Sequence, residues 1–327
     1  MDLIEHDINR HEKQLFLEEL TSGSGARVHS HAYIVQGIFG VGKSDFAIFC
    51  AASILCEGKN PPCFSCRSCK KVFSSTHPDI YFYGAEDKPI TMREVRELID
   101  SSALVPNDGD KKIYIIKSAH KMRTDTQNAM LKIFEEPLPS VVIFLLTEKK
   151  EALLPTIISR GRQITLVGET DENIRNILNK KHKKTLPENI DAAVSFAEGS
   201  IGRAELFLSK EYRALTDKMI KILECFFEGT KTEFINAFIG IKLTRENALA
   251  LLNLLQRFFL DILKFKLCST APIVLKGLAE KYSVKTTKKA LVMMSDAIND
   301  CRVSLEQSGN LNASITNLCI KLWSFIN

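Results

Sequence analysis

Apolar and polar positions change their period along the chain, and the changes divide it. Between residues 32 and 166, short runs that are apolar at nearly every position alternate with stretches of helical spacing. The runs are 32–35, 80–83, 112–116, 141–147 and a shorter one at 163–166. Their β-branched and aromatic content predicts strands, the longer ones buried on both faces. Helices are expected at 45–52, 91–99 and 125–136. Thr91 and Glu94 form a capping box at the start of the second. In the third, Ala129, Met130, Ile133 and Phe134 share one face, and Pro137 and Pro139 stop it. Strands alternating with helices predict a parallel α/β sheet covered on both sides. A polar helix at 12–20 and a loop at 21–25 precede it. From 171 onward the strand signals cease. Helical spacing returns at 172–180, 189–197, 212–227, 232–238, 245–267, 274–279, 286–304 and 313–325. In 245–267 leucines and phenylalanines occupy more than one face, so that helix is buried in a bundle or against a partner.

The glycine-rich segment Gly37-Ile38-Phe39-Gly40-Val41-Gly42-Lys43-Ser44 lies between the first strand and the first helix of the α/β region. Strand, loop and helix in that order turn a G-x-x-x-x-G-K-[ST] match into a P-loop; a chance glycine turn is the bland alternative. Gly37, Gly40 and Gly42 leave room for backbone N–H groups, including that of Val41, to surround phosphate oxygens. Lys43 offers a positive charge to the outer phosphates, the helix start adds its own partial charge, and Ser44 supplies a hydroxyl for Mg²⁺. The expected ligand is ATP or ADP. One element of an ATPase is missing. The strand 112–116 should end in an acidic residue that holds Mg²⁺ and polarises water, but Lys117-Ser118 stand there. Binding is therefore expected without appreciable turnover.

A second chemistry follows the P-loop helix. Cys56-x6-Cys63-x2-Cys66-x2-Cys69, with Pro61 and Pro62 turning the chain, suits a tetrahedral Cys₄ zinc site. An iron–sulfur cluster uses similar spacing but wants a further Cys-Pro, and Val72-Phe73 occupy that region. Free buried thiols are the structural alternative. His77 reads either as a substitute ligand or, with more weight, as a residue fixing the loop before the next strand. The lone Cys50, Cys225, Cys268, Cys301 and Cys319 are expected in the core.

Composition narrows the class. The chain has 327 residues, 45% hydrophobic and 25% charged, which fits two or three globular domains. Charges interrupt every apolar run, which argues against a membrane span. The acidic start, Met1 to Asp7, lacks the pattern of a signal peptide, and nine unevenly spread cysteines do not form a disulfide framework. A cytoplasmic location is expected. A net charge of +5 permits nucleic-acid contact without arguing for it. The run Lys180-Lys181-His182-Lys183-Lys184 reads as a solvated helix end before it reads as a nucleic-acid patch.

His31-Ala32-Tyr33, the inserted cysteine excursion, Asn128-Ala129-x-x-Lys132-x-x-Glu135-Glu136-Pro137 and Ser159-Arg160 together resemble the bacterial DNA polymerase III clamp-loader subunits, of the AAA+ class. The resemblance covers about residues 30–205 well and the remainder weakly. Two branches compete, the motor type (gamma/tau) and the delta-prime type. Lys117-Ser118 in place of the acidic strand end disfavours the motor. Gly199-Ser200-Ile201-Gly202-Arg203-Ala204 is similar to the delta-prime lid pattern, and the ending at Asn327 without a tau-like tail is read the same way. The resemblance implies an AAA+ RecA-like parallel sheet at 1–168 with a zinc insert at about 56–76, a small helical lid at 169–209, and an all-α collar at 210–327. It implies a non-polymerising, stationary member of a ring that opens a sliding clamp and loads it on primed DNA. Its partners would be gamma/tau motor subunits and a delta subunit. Arg160 would serve in trans, as an arginine finger toward a neighbour's nucleotide. Thr147 and Arg203 match positions that sense the γ-phosphate; a strand-end hydroxyl and a surface arginine are the plain alternatives. A true ATPase motor of the same loader, and an AAA+ remodelling protein with another partner, are the other readings.

Overall fold

A computed structural model describes residues 8–22, 29–85, 88–183, 185–240, 244–268, 275–307 and 309–326. The expected loop at 21–25 and Lys184 of the basic run fall partly or wholly outside them. The chain forms two compact units, one of residues 1–181 with 198–202, the other of 182–197 with 203–327.

In the first unit, α1 (Arg10–Thr21), β1 (Ala32–Gln36), α2 (Lys43–Leu55), α3 (Arg67–Phe73), β2 (Ile80–Tyr83), α4 (Met92–Ser102), β3 (Lys112–Ile116), α5 (Thr124–Glu135), β4 (Val141–Thr147), α6 (Pro155–Ile158), β5 (Arg162–Thr165) and α7 (Asp171–Lys181) follow one another. The strands form one parallel sheet in the order β2-β3-β4-β1-β5, as an AAA+ RecA-like module requires. Alternation along each central strand divides two cores. Tyr33, Val35, Ile113, Ile115, Val142, Phe144 and Leu146 pack under α1 and α2. Ala32, Ile34, Tyr114, Ile116, Val141, Ile143 and Leu145 pack under α4, α5 and α6. A strand with both faces buried must be apolar throughout, which is why the runs carried no alternating pattern. Tyr33 stacks on Phe144 at 4.9 Å, with Phe16 of α1 edge-on to Tyr33 at 5.6 Å.

The capping box of α4 forms. Glu94 N donates to Thr91 Oγ1 (3.3 Å), and Thr91 N donates to Glu94 Oε2 (2.7 Å). Thr91→Ala should lower the urea resistance of this unit by about 1 kcal/mol; an unchanged transition would show that the cap contributes nothing.

The second unit is all helical, with α8 (Pro187–Ala197), α9 (Ile201–Leu208, whose first two residues belong to the first unit), α10 (Lys210–Glu228), α11 (Lys231–Ile239), α12 (Arg245–Leu267), α13 (Lys276–Ser283), α14 (Lys288–Glu306) and α15 (Leu311–Ser324). α12 is its axis. Leu251, Leu252, Leu255, Phe258, Phe259 and Ile262 are buried against α10, α13 and α14, so the many-sided apolar pattern is satisfied inside the bundle. Asp261, fully buried, pairs with Arg257 one turn earlier at 3.2 Å, and Arg257 Nη2 reaches Ser195 O of α8 at 3.3 Å. No described helix is long and apolar enough to cross a membrane. Of the lone cysteines, Cys50, Cys301 and Cys319 are core residues as expected, and Cys225 is half-buried. Cys268 is exposed, contrary to expectation, because it caps the end of α12 where the helical period no longer applies.

Candidate functional site

The sheet order places β1 between β4 and β5, and the loop from β1 to α2 leaves the carboxyl edge beside both neighbours. That crevice is where ligands bind in open parallel sheets. Gly37 N donates to Thr147 O at the end of β4 (3.1 Å). Gly40 and Gly42 adopt φ of 71° and 95°, a region side chains rarely enter. Gly42 N-caps α2, so the helix start meets the loop. Lys43 Nζ donates to Gly37 O and Ile38 O, both at 2.8 Å. An ammonium anchored over its own loop is held close to where phosphates would sit.

Two segments brace the outside of the loop. Asn9 Nδ2 donates to Val41 O (2.9 Å), and its backbone N–H donates to Glu169 Oε1 (2.7 Å). From the other side, Gly202 N donates to Gly40 O (2.9 Å) and the buried Ser200 hydroxyl to Phe39 O (2.7 Å). A Cβ on Gly202 would lie 2.6 Å from Gly40 Cα, so glycine is required there. Residues 8–9 were missed as part of the site, since two residues before a polar helix carry no periodic signal. Gly199-Ser200-Ile201-Gly202 is marked in the sequence only by its resemblance to the lid pattern. Next to the loop, Asn9, Arg10, Val167, Gly168, Glu169 and Asn173 line a cavity of about 460 Å³.

Thr147 is buried at the end of β4, and its Oγ1 accepts from Lys149 N (3.2 Å). Ser44 lies in the first turn of α2, half-buried. Arg203 lies in α9, in the second unit. The end of β3 is as the sequence has it. Lys117 N donates to Tyr83 O (2.9 Å), Ser118 is left-handed (φ 49°), and a short turn carries His120. Glu148 N donates to His120 Nδ1 at 3.3 Å. Burial holds the His120 imidazole below its ordinary pKa; Glu148 opposes this, while Lys121, Lys43 and Lys149 reinforce it.

The four cysteines of the excursion come together, every sulfur within 4.8 Å of the others. A ZnS₄ tetrahedron with Zn–S of about 2.3 Å has edges of about 3.8 Å, so little contraction is needed. Backbone N–H groups already point at the sulfurs. Gly58 and Cys63 donate to Cys56 (3.3 and 3.4 Å), Cys66 to Cys63 (3.3 Å), and Cys69 to Cys66 (3.3 Å). The Ser65 hydroxyl and nearby backbone N–H groups bring the Cys63 thiol down to about 5, while burial pushes Cys69 up. The donor set fits Zn²⁺. α3, which supplies Cys69 and buries Val72 beneath α2, was not expected as a helix; four cysteines and two prolines hide so short an amphipathic segment. His77 is buried and fixes the loop, its Nδ1 accepting from Asp79 N (3.2 Å); it is not in the sulfur cluster.

Arg160 follows α6 on the surface. Its guanidinium contacts Thr156 O (3.0 Å) and Glu135 at the end of α5 (3.3 Å), both side chains of the pair well exposed. Two segments quoted separately from the sequence thus meet in one ion pair. Lys180, Lys181 and Lys183 are exposed at and beyond the end of α7, as a solvated helix end would be.

A family model described as DNA polymerase III, delta subunit, matches residues 12–169. The chain is 27% identical over 307 residues to DNA polymerase III subunit delta' of Bacillus subtilis, spanning 90% of this chain and 91% of that one. It is 34% identical to the delta' subunit of Pseudomonas aeruginosa over 44% of this chain and 45% of the relative. To DNA polymerase III subunit tau of Escherichia coli it is 31% identical over 62% of this chain and 31% of the relative. Among solved structures, a DNA polymerase III gamma subunit-related protein from Thermotoga maritima shares the fold with a TM-score of 0.57 at 18% identity, covering 98% of this chain and all of that one. The likeness to DNA polymerase III subunits thus runs from the P-loop module, where the family model matches, along nine-tenths of the chain in the Bacillus subtilis delta' subunit.

Proposed function

We propose that this chain is the stationary, delta'-type member of a clamp-loading ring. It would hold nucleotide without hydrolysing it, and lend Arg160 to the active site of an adjacent gamma/tau motor. The observation that carries this is the combination of an intact P-loop with Lys117-Ser118 at the end of β3. Phosphate contacts suffice for binding, whereas turnover needs an acidic group to place metal and water. Likeness to delta' along nine-tenths of both chains supports the branch. The division of labour would follow the expected boundaries: module 1–168, lid 169–209 and collar 210–327, with the collar holding the ring together. The partners would be gamma/tau and delta subunits, the sliding clamp and, through the assembly, primed DNA. The Cys₄ cluster would hold one structural Zn²⁺, since no open ligand position or general base accompanies it. The motor reading is favoured by the tau and gamma relatives at about 31% identity, but it leaves Lys117 without a role.

Reconstitution tests the reading. The chain should co-purify with motor and delta subunits and support clamp loading, while alone it shows no steady-state ATPase. Motor-like turnover by the isolated chain, abolished by changing Lys43, would assign it to the motor branch. Failure to associate with loader subunits or clamp would point to a different AAA+ partner. Lys43→Ala should weaken ATP binding by roughly 100-fold or more through loss of the phosphate-facing charge. Calorimetric titration of the full chain measures this, and undiminished affinity would remove the P-loop from the binding site.

A further inference from the structure

We infer that the P-loop of this chain is a site for the metal-free polyphosphate anion, with Lys117 standing where a metal-binding carboxylate would have to be. The inference rests on the nucleotide-binding reading above and concerns the form in which nucleotide is held.

The side chains of β3 alternate between the two cores. Ile113 and Ile115 face α2, while Tyr114 and Ile116 face α5. The ladder continues one residue further, since Lys117 N still donates to Tyr83 O. Lys117 therefore continues the Ile113–Ile115 face, on the side of the sheet that carries the P-loop and α2. Only then does left-handed Ser118 turn the chain away. The same edge carries Lys43, His120, Lys121 and Lys149, and His120 lies within electrostatic reach of the three lysines. Against them stand Glu148, which is exposed, and Asp45, half-buried in the first turn of α2.

Mg²⁺ requires hard oxygen ligands in a near-octahedral shell; the Ser44 hydroxyl offers one, but the carboxylate that protein sites add to balance the ion's charge has no counterpart at the end of β3. An ammonium on the P-loop face at the end of β3 repels the ion and offers it no ligand. A phosphate group gains from the same lysine, which binds it as a point charge. The residues thus fit nucleoside di- or triphosphate as the free anion and do not fit its magnesium complex, in which the metal occupies the outer phosphate oxygens.

The test is calorimetric titration of ATP into the full chain, in buffer freed of divalent ions by a chelating resin and again with excess Mg²⁺. Free chelator is avoided so that the cysteine site keeps its metal. Affinity without Mg²⁺ should equal or exceed that with it, by up to roughly tenfold. Lys117→Asp should reverse the order, making binding weaker without Mg²⁺ and stronger with it; Lys117→Met should lower the metal-free affinity without creating a magnesium requirement. Wild-type binding that weakens when Mg²⁺ is withdrawn overturns the inference and leaves the nucleotide reading standing. A Lys117→Asp protein with normal zinc content and helicity that titrates like wild type also overturns it. Absence of binding in both buffers overturns the nucleotide reading and this inference with it.

Discussion

Stripping the metal from the cysteine excursion is expected to disorder residues 56–76 while the five-stranded sheet stays folded. Binding of structural zinc is worth on the order of 10 kcal/mol and supplies most of what holds so small an element together. The excursion has little core of its own. Cys56 and Cys69 are buried at its base, and Cys69 Sγ contacts Ala52 O of α2 at 3.8 Å. Val72 is its main contribution to the core beneath α2, and Lys71 with Asp108 ties α3 to the loop before β3. The sulfurs lie within 4.8 Å of one another, and as zinc ligands they would be thiolates, whose mutual repulsion only a bound cation offsets. The sheet is continuous through backbone ladders that do not involve the excursion, so β1 to β5 should persist. Hydrogen exchange before and after chelation reads the result: protection lost at 56–76 and retained in β1, β3 and β4. Metal analysis of fresh, reduced protein should give one zinc per chain. Clearly less than one, or an excursion equally protected without metal, would make the cluster four free thiols.

The sequence revealed what is written in local patterns. Buried parallel strands are apolar at every position, and all five runs formed strands, the last shifted by one residue to Arg162–Thr165, where an exposed edge strand gives little pattern. The P-loop and the missing acid were legible because each is set by residue type at one place. What escaped depends on contacts distant in sequence. Asn9 reaches Val41 across 32 positions and Glu169 across 160, and no short motif encodes either bond. The pairing of Arg160 with Glu135 was hidden for the same reason. A short helix such as α3 arises from its surroundings more than from its own propensity, because a one- or two-turn helix cannot sustain itself. Cys268 shows the opposite error: a helical pattern carried one residue beyond the helix, where the side chain turns outward.

Arg160→Ala should leave folding, zinc content and assembly unchanged, while reducing the DNA- and clamp-stimulated ATPase at one interface of the reconstituted loader. The residue's place makes the first half of that expectation secure. Arg160 and Glu135 are 38% and 49% exposed, and an exposed pair of this kind contributes about 0–1 kcal/mol. The same weakness bears on function. Glu135 holds the guanidinium in a defined place at the end of α5 without binding it so firmly that a phosphate could not compete. Guanidinium is planar, permanently charged and able to bind phosphate oxygens with paired donors. Arginine fingers accelerate phosphoryl transfer by about 10³–10⁵ by neutralising charge in the transition state. A loss on the order of 10³ in turnover is therefore expected at the one motor site that Arg160 is proposed to serve, with the other sites unaffected. Arg160→Lys should not restore the rate, because a point charge lacks the fork, whereas Glu135→Ala should leave turnover within a few-fold of wild type. Single-turnover hydrolysis in the assembled loader, with the remaining motor sites disabled, reads that interface alone. If the Ala variant assembles and that site still turns over at the wild-type rate, Arg160 is a surface residue paired to Glu135 and nothing more.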